Sequence, residues 1–177
     1  MPTQRDQCCH AGGALEFDGN GNLYVATGDN SNPFDSDGYA PIDERAGRAA
    51  WDAQRSAANS NALNGKVLRI HPETDGTYTI PDGNLFPPGT APVLSGLARP
   101  EIYAMGFRNP FRIGIDPTTN HLFVADYGPD AGAVSPTRGP DGRVEWNILS
   151  KPGLSRMFHS TRPSGPRVGE TAPASGP

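Results

Sequence analysis

The sequence predicts an all-β chain dominated by turns, and three observations carry that prediction. The 177 residues include 22 glycines and 19 prolines, nearly a quarter of the chain, while Leu, Ile, Val and Phe together make up under a fifth. Such a composition excludes long helices and a leucine-rich core. The formal net charge is only -4, too small for the self-repulsion that accompanies disorder, and the apolar residues fall into short runs. The third observation is an internal echo, Leu15-Glu16-Phe17-Asp18-Gly19-Asn20-Gly21-Asn22-Leu23-Tyr24-Val25-Ala26 against Ile113-Gly114-Ile115-Asp116-Pro117-Thr118-Thr119-Asn120-His121-Leu122-Phe123-Val124-Ala125. Each copy reads as strand, tight turn, strand.

In chain order, residues 15–29 form the first hairpin. Residues 31–61 follow as a long irregular segment holding Pro33, Pro41 and several Asp, with a short helix expected around Trp51 within 46–58. Asn64 to Ile70 and Gly76 to Ile80 form a second hairpin that turns through Pro72 to Asp75. The second copy of the echo supplies a third over 113–126. Hairpins spaced in this way suit a β-propeller or a sandwich. From Lys151 the pattern dissolves into Pro, Gly, Ser, Thr and Arg, and Ser155 to Pro177 is expected to be a disordered tail.

Fifteen basic and 19 acidic residues without a long block of either sign give no nucleic-acid or membrane surface, which leaves small molecules as the expected partners. No run approaches the length of a membrane-spanning helix, and the residues after Met1 lack the apolar stretch of a signal peptide.

Four strings could carry chemistry. Cys8-Cys9-His10 precedes Gly12-Gly13. Adjacent cysteines close a disulfide only by distorting the peptide between them, and two free thiols or part of a metal site are the alternatives. His10 reads either as a hydrogen-bonded loop residue or as a base beside glycines that admit a flat ligand. Gly28-Asp29-Asn30, with Asn32, Asp35, Asp37, Asp43 and Glu44, gathers hard oxygen donors of the type Ca²⁺ needs. Pro33 stands where an EF-hand loop requires its first ligand, so that motif is rejected and most of these carboxylates are expected to be solvated turn residues. Arg108-Asn109 joins a planar cation to an amide just before a strand, suited to a dianionic or quinone-like ligand or to tying strand ends through backbone carbonyls. Gly128-Pro129 offers two neighbouring carbonyl oxygens, for calcium or simply for a turn.

Taken together, the ordered blocks Cys8 to Gly13, Leu23 to Asn30, Leu63 to Ile70, Pro100 to Pro110, and Gly128-Pro129-Asp130 with Glu145-Trp146-Asn147 resemble the glucose/sorbosone dehydrogenase family. These are soluble quinoproteins related to aldose sugar dehydrogenase that carry pyrroloquinoline quinone (PQQ) on a six-bladed β-propeller. The resemblance runs from about Gln7 to Ser150. It implies a partial propeller over residues 1–150, with about half the blades present, followed by the disordered tail over 151–177. It also implies oxidation of an aldose at its anomeric carbon to a lactone, with electrons leaving to an external acceptor.

At matching positions His10 resembles the general base and Arg108 the arginine beside the quinone oxygens. Asn109 resembles a neighbouring cofactor-binding donor, and the carbonyls of Gly128 and Pro129 resemble ligands of the Ca²⁺ that holds PQQ. Cys8 and Cys9 would form a clip beside the cofactor, and an extracellular or periplasmic setting follows by resemblance. The chain is about half the length such a propeller needs and departs from the family pattern after Gly153, as a truncated or frame-shifted product would. An inactive propeller fragment serving as a binding or interaction module is therefore the competing expectation, and a calcium-binding adhesive β-domain is a third.

Overall fold

The computed structural model describes residues 3, 7, 9–40, 42, 43, 45–136 and 141–154. Cys8, Glu44 and the tail expected over Ser155 to Pro177 lie outside the described residues. The two echo hairpins form as predicted. Strands β1 (Gly12–Phe17) and β2 (Leu23–Thr27) pair antiparallel, and so do β6 (Pro110–Ile115) and β7 (Leu122–Asp126). The first turn is held by Asp18, whose carboxylate accepts from the backbone N–H groups of Asn20 and Asn22, both at 2.9 Å. This side-chain capture of a turn is the reason Asp recurs in such loops. The hairpin at 64–80 also forms, from β3 (Lys66–Pro72) and the short β4 (Tyr78–Thr79).

Two sheets result. The first runs β1-β2-β3-β5, all antiparallel, with β5 at Ile102–Met105, β4 flanking β3, and β9 (Gly153–Leu154) added parallel to β5. The second runs β6-β7-β8, with β8 at Glu145–Leu149. Helix is confined to single turns among the described residues. The helix expected within 46–58 appears as two 3-10 turns, Ala49–Trp51 and Ala53–Arg55. Between them Asp52 is extended (φ -125°, ψ 97°), and its side chain accepts from Gln54 N–H to start the second turn instead of continuing the first.

The two sheets pack face to face. Tyr24, Val67, Tyr103, Ala104 and Phe107 of the first meet Leu122 and Val124 of the second, with Ile113, Ile115 and Leu149 at the margin. Alternation along β7 sends Leu122 and Val124 inward and leaves Phe123 and Ala125 on the other face. The far face of the first sheet has its own cluster, Leu63, Leu68, Ile102 and Met105, covered by Val25, Leu85 and Phe86. β3 is therefore buried on both sides from Lys66 to Leu68 and again at Ile70. Among the described residues nothing covers the far face of the second sheet, where Trp146 is 73% exposed with Val144 and Ile148 beside it.

The register places one set of strand ends together. Thr27 pairs Gly12 on one side and Lys66 on the other, Lys66 pairs Met105, and Asp126 lies between Pro110 and Glu145. The loops leaving this end carry His10, Asp29 and Arg108.

Candidate active site

His10 lies two residues before β1, in the left-handed region at φ 54°. That conformation is uncommon for a side-chain-bearing residue and is sustained here by its surroundings. The strand exit at Gly28 leaves no room for a side chain, because an added Cβ would sit 1.7 Å from the His10 carbonyl oxygen. This close approach brings the following residue, Asp29, onto the histidine ring. His10 Nδ1 lies 2.8 Å from Asp29 Oδ1 and 3.2 Å from Ser31 Oγ.

The Asp29 carboxylate is 2% exposed. Its Oδ1 also accepts from Ser31 N–H at 2.9 Å and Ser31 Oγ at 2.8 Å. The carboxylate fixes the ring with its proton on Nδ1, which leaves the Nε2 lone pair as the ring's available base. Asp29 is thus a correction to the expectation of solvated turn carboxylates: it is a buried acceptor that orients His10. Elsewhere in the acidic segment the expectation suits the geometry better. Asp43 accepts from Arg45 and Arg48 at the surface, and the two guanidinium groups hold its carboxyl below the usual range.

Arg108 and Asn109 occupy the β5–β6 junction. Their backbone N–H groups donate to the two carboxylate oxygens of Asp126, at 3.0 and 2.7 Å. The Arg108 carbonyl accepts from Asp29 N–H at 2.8 Å, and the Asn109 side-chain oxygen accepts from Gly12 N–H at 3.0 Å. Two short hydrogen bonds therefore tie the loop before β6 directly to the segments flanking β1 and β2. The tying of strand ends expected of the Arg108 side chain is done by its backbone. The guanidinium, in a residue 7% exposed, has a buried Nε with no hydrogen-bond partner among the described residues, and its Nη2 lies 3.9 Å from Asp130 Oδ2. A buried charged donor left unpaired is costly, and an acceptor supplied from outside the chain would satisfy it.

Asp126 is fully buried, and that burial pushes its carboxyl up to about 7 against the two backbone donors, with the charges of Asp29 and Glu145 adding to the rise. Lys66 is also fully buried. Its Nζ donates to the carbonyls of Ser56, Ala57 and Asn64 at 2.8, 2.9 and 2.7 Å. Burial lowers its ammonium to about 7, opposed by the charge of Asp29.

Gly128 and Pro129 follow β7 and pack against residues 142–143. The Pro129 carbonyl oxygen faces the α-carbon of Gly142, where a Cβ would come within 1.6 Å, and Gly128 lies against the Arg143 carbonyl. Among the described residues no group of three or more His, Cys, Asp or Glu side chains could hold a metal ion. A calcium site at this turn would draw on backbone oxygens, and the Pro129 oxygen is covered on one side by Gly142. Cys9 is disulfide-bonded. His71 is bound to Asn22 Oδ1 at 3.1 Å, at the opposite end of the sheets. There a cavity of about 400 Å³ opens among turns bearing Asp18, Asn22, Arg69, Asp82 and Asn120, away from His10.

Sequence reasoning singled out His10, Arg108 and Asn109, and the structure brings all three into one hydrogen-bonded cluster through Asp29, Gly12 and Asp126. It passed over Asp126 and Lys66 as site residues. The echo held a signal for the first, since Val25-Ala26 and Val124-Ala125 both run on to an Asp that the fold buries.

A family model for glucose/sorbosone dehydrogenases matches residues 1–134. The chain belongs to this family. Aldose sugar dehydrogenase YliI of Escherichia coli (strain K12) is 29% identical over 123 residues, covering 70% of this chain and 25% of that protein. The HIPL1 protein of Arabidopsis thaliana is 28% identical over 139 residues, covering 71% of this chain and 19% of that one. Among solved structures, an oxidoreductase (glucose dehydrogenase) from Thermus thermophilus superposes with a TM-score of 0.53 at 29% identity, covering 86% of this chain and 34% of that one. The chain thus spans between about a fifth and a third of the length of these relatives. Among the described residues no helix is long and apolar enough to cross a membrane.

Proposed function

We propose that the chain carries the proton-accepting and cofactor-facing residues of a PQQ-dependent sugar dehydrogenase, within a partial six-bladed propeller of which about half the blades are present. The observation that carries this reading is the His10–Asp29 pair, with Nδ1 held at 2.8 Å, beside an arginine whose buried Nε has no partner. In this reading His10 Nε2 takes the proton from the anomeric hydroxyl of an aldose as the carbon loses hydride, and the product is the lactone. Asp29 stabilises the imidazolium that forms, and Ser31 keeps the carboxylate oriented.

PQQ, when bound, would supply the hydride acceptor and pass electrons to an external acceptor. The donor set suits it on one side: Arg108 presents an unsatisfied charged donor for anionic or quinone oxygens, with Asn109 next to it. Gly128 and Pro129 are the backbone donors assigned to Ca²⁺, whose preference is for hard oxygens. Family membership supports an extracellular or periplasmic setting.

The test is titration of the folded chain with PQQ, with and without Ca²⁺, followed by aldose-dependent dye reduction. Saturable PQQ binding that Arg108→Ala weakens at least tenfold is expected. Absence of PQQ binding by a folded chain would refute the assignment and favour the second reading, a sheet module without turnover. That alternative draws its support from the bare Val144-Trp146-Ile148 face, which is of the kind that meets other protein surface.

A further inference from the structure

Lys66 is a fully buried cation that the proposed chemistry does not use, and its three hydrogen bonds have a common destination. The carbonyls it binds, those of Ser56, Ala57 and Asn64, belong to the segment that folds back over the end of β2. From that segment the Ser56 hydroxyl donates to the Asp29 carbonyl, Asn64 Nδ2 donates to the Gly28 carbonyl at 3.3 Å, and Gly65 N–H donates to the same Gly28 oxygen at 2.8 Å. The clamp closed by Lys66 is thus the clamp that holds Gly28 and Asp29 against His10. Three acceptors match the three hydrogens of an ammonium, whereas a neutral amine has only two to give.

Charge runs along the same route. Lys66 pairs with Thr27 across β2 and β3, two residues from Asp29, and the Asp29 charge favours the protonated lysine. The Asp29 carboxylate thus serves two groups, held on the His10 ring at 2.8 Å and favouring the charged form of the buried Lys66.

We propose that Lys66 is a positioning residue for the His10–Asp29 pair. It fixes Asp29 through the 56–64 segment, so that His10 keeps a free Nε2. This rests on the reading of His10 as the proton acceptor, but its test needs neither cofactor nor sugar.

Two-dimensional ¹⁵N spectra of the histidine ring nitrogens report protonation and tautomer directly. Because the chain contains only two lysines, Lys66 and Lys151, selective labelling also resolves the Lys66 ammonium. In the wild-type chain a slowly exchanging Lys66 ammonium signal is expected at pH 6, and the His10 ring is expected to show its hydrogen-bonded hydrogen on Nδ1, facing Asp29. Lys66→Met is expected to loosen Asp29 and to lower several-fold the share of the Nδ1-hydrogen tautomer over the other. Ser56→Ala, which leaves the lysine in place and removes one side-chain oxygen, is expected to give a mixture of the two neutral tautomers.

A His10 ring pattern like that of wild type in Ser56→Ala, and in Lys66→Met if it folds, would overturn the proposal. Should Lys66→Met not fold, the same measurement on Lys66→Gln, which keeps a donor but loses the charge, decides. Loss of PQQ binding with the His10 response intact would sink the dehydrogenase reading only. PQQ binding without that response would sink this one only.

Discussion

Replacing Asp126 with Asn should change how the stability of this chain depends on pH. The carboxyl is buried between two strands of the second sheet and accepts from the N–H groups of Arg108 and Asn109. Burial raises it from 3.8 to about 7, so between those values the folded state binds a proton that the unfolded state has released. Stability from this group is therefore present below about pH 4 and is lost as pH rises toward 7. A displacement of that size corresponds to ~4 kcal/mol if fully expressed. Asn keeps one acceptor oxygen and sets an NH₂ against the other N–H, a loss that does not vary with pH, and it carries no charge at any pH, so the comparison rests on the pH dependence of the difference. With a urea m-value of about 2 kcal/mol/M, the wild-type midpoint should fall by up to about 2 M relative to Asp126→Asn between pH 4 and 7.5. Taking the difference between the two proteins removes the common contributions of Glu101 and the surface carboxylates, which run in the opposite direction. Parallel midpoint curves would refute the argument, because they would mean that Asp126 is no harder to ionise in the folded chain than in the unfolded one.

Gly28→Ala should be far more damaging than an exposed Gly→Ala change. The new methyl would lie 1.7 Å from the His10 carbonyl oxygen and 2.2 Å from its carbon, both backbone atoms. A loss of ~3 kcal/mol or more in thermal or urea unfolding is expected, with His10 ring signals displaced from their Asp29-bound positions. A wild-type ring signal would contradict it. Trp146→Lys together with Ile148→Lys should lower the light scattering of concentrated solutions, since both side chains lie on the uncovered face of the second sheet. Unchanged association would show that this face makes no self-contact.

How much of the site was legible follows from how local each signal was. His10 and Arg108-Asn109 stood out because each is a short string with chemistry of its own. Asp29 was seen, but as one of several loop carboxylates, and its role could not be separated from theirs. Asp43 and Asp29 look alike in the sequence; one meets two surface arginines and the other is sealed beneath His10. Asp126 closes its strand as an ordinary terminal residue would. Nothing beside Lys66 in Asn64-Gly65-Lys66-Val67 marks it as buried, since its acceptors are carbonyls contributed by residues 56, 57 and 64.

By itself the sequence determined the two echo hairpins, the hairpin over 64–80 and the all-β class. Those depend on alternation, on Asp, Gly and Pro at turn positions, and on the shortage of helix-forming apolar residues, all of which act over a few residues. Only the tertiary structure decided which carboxylate orients His10, which cation balances it, and how Arg108 comes to lie beside them. These contacts join positions 10, 29, 66, 108 and 126, and burial turns them from solvated side chains into a coupled set. Desolvation depends on everything packed around a group, so it is a property of the fold and not of the neighbouring letters.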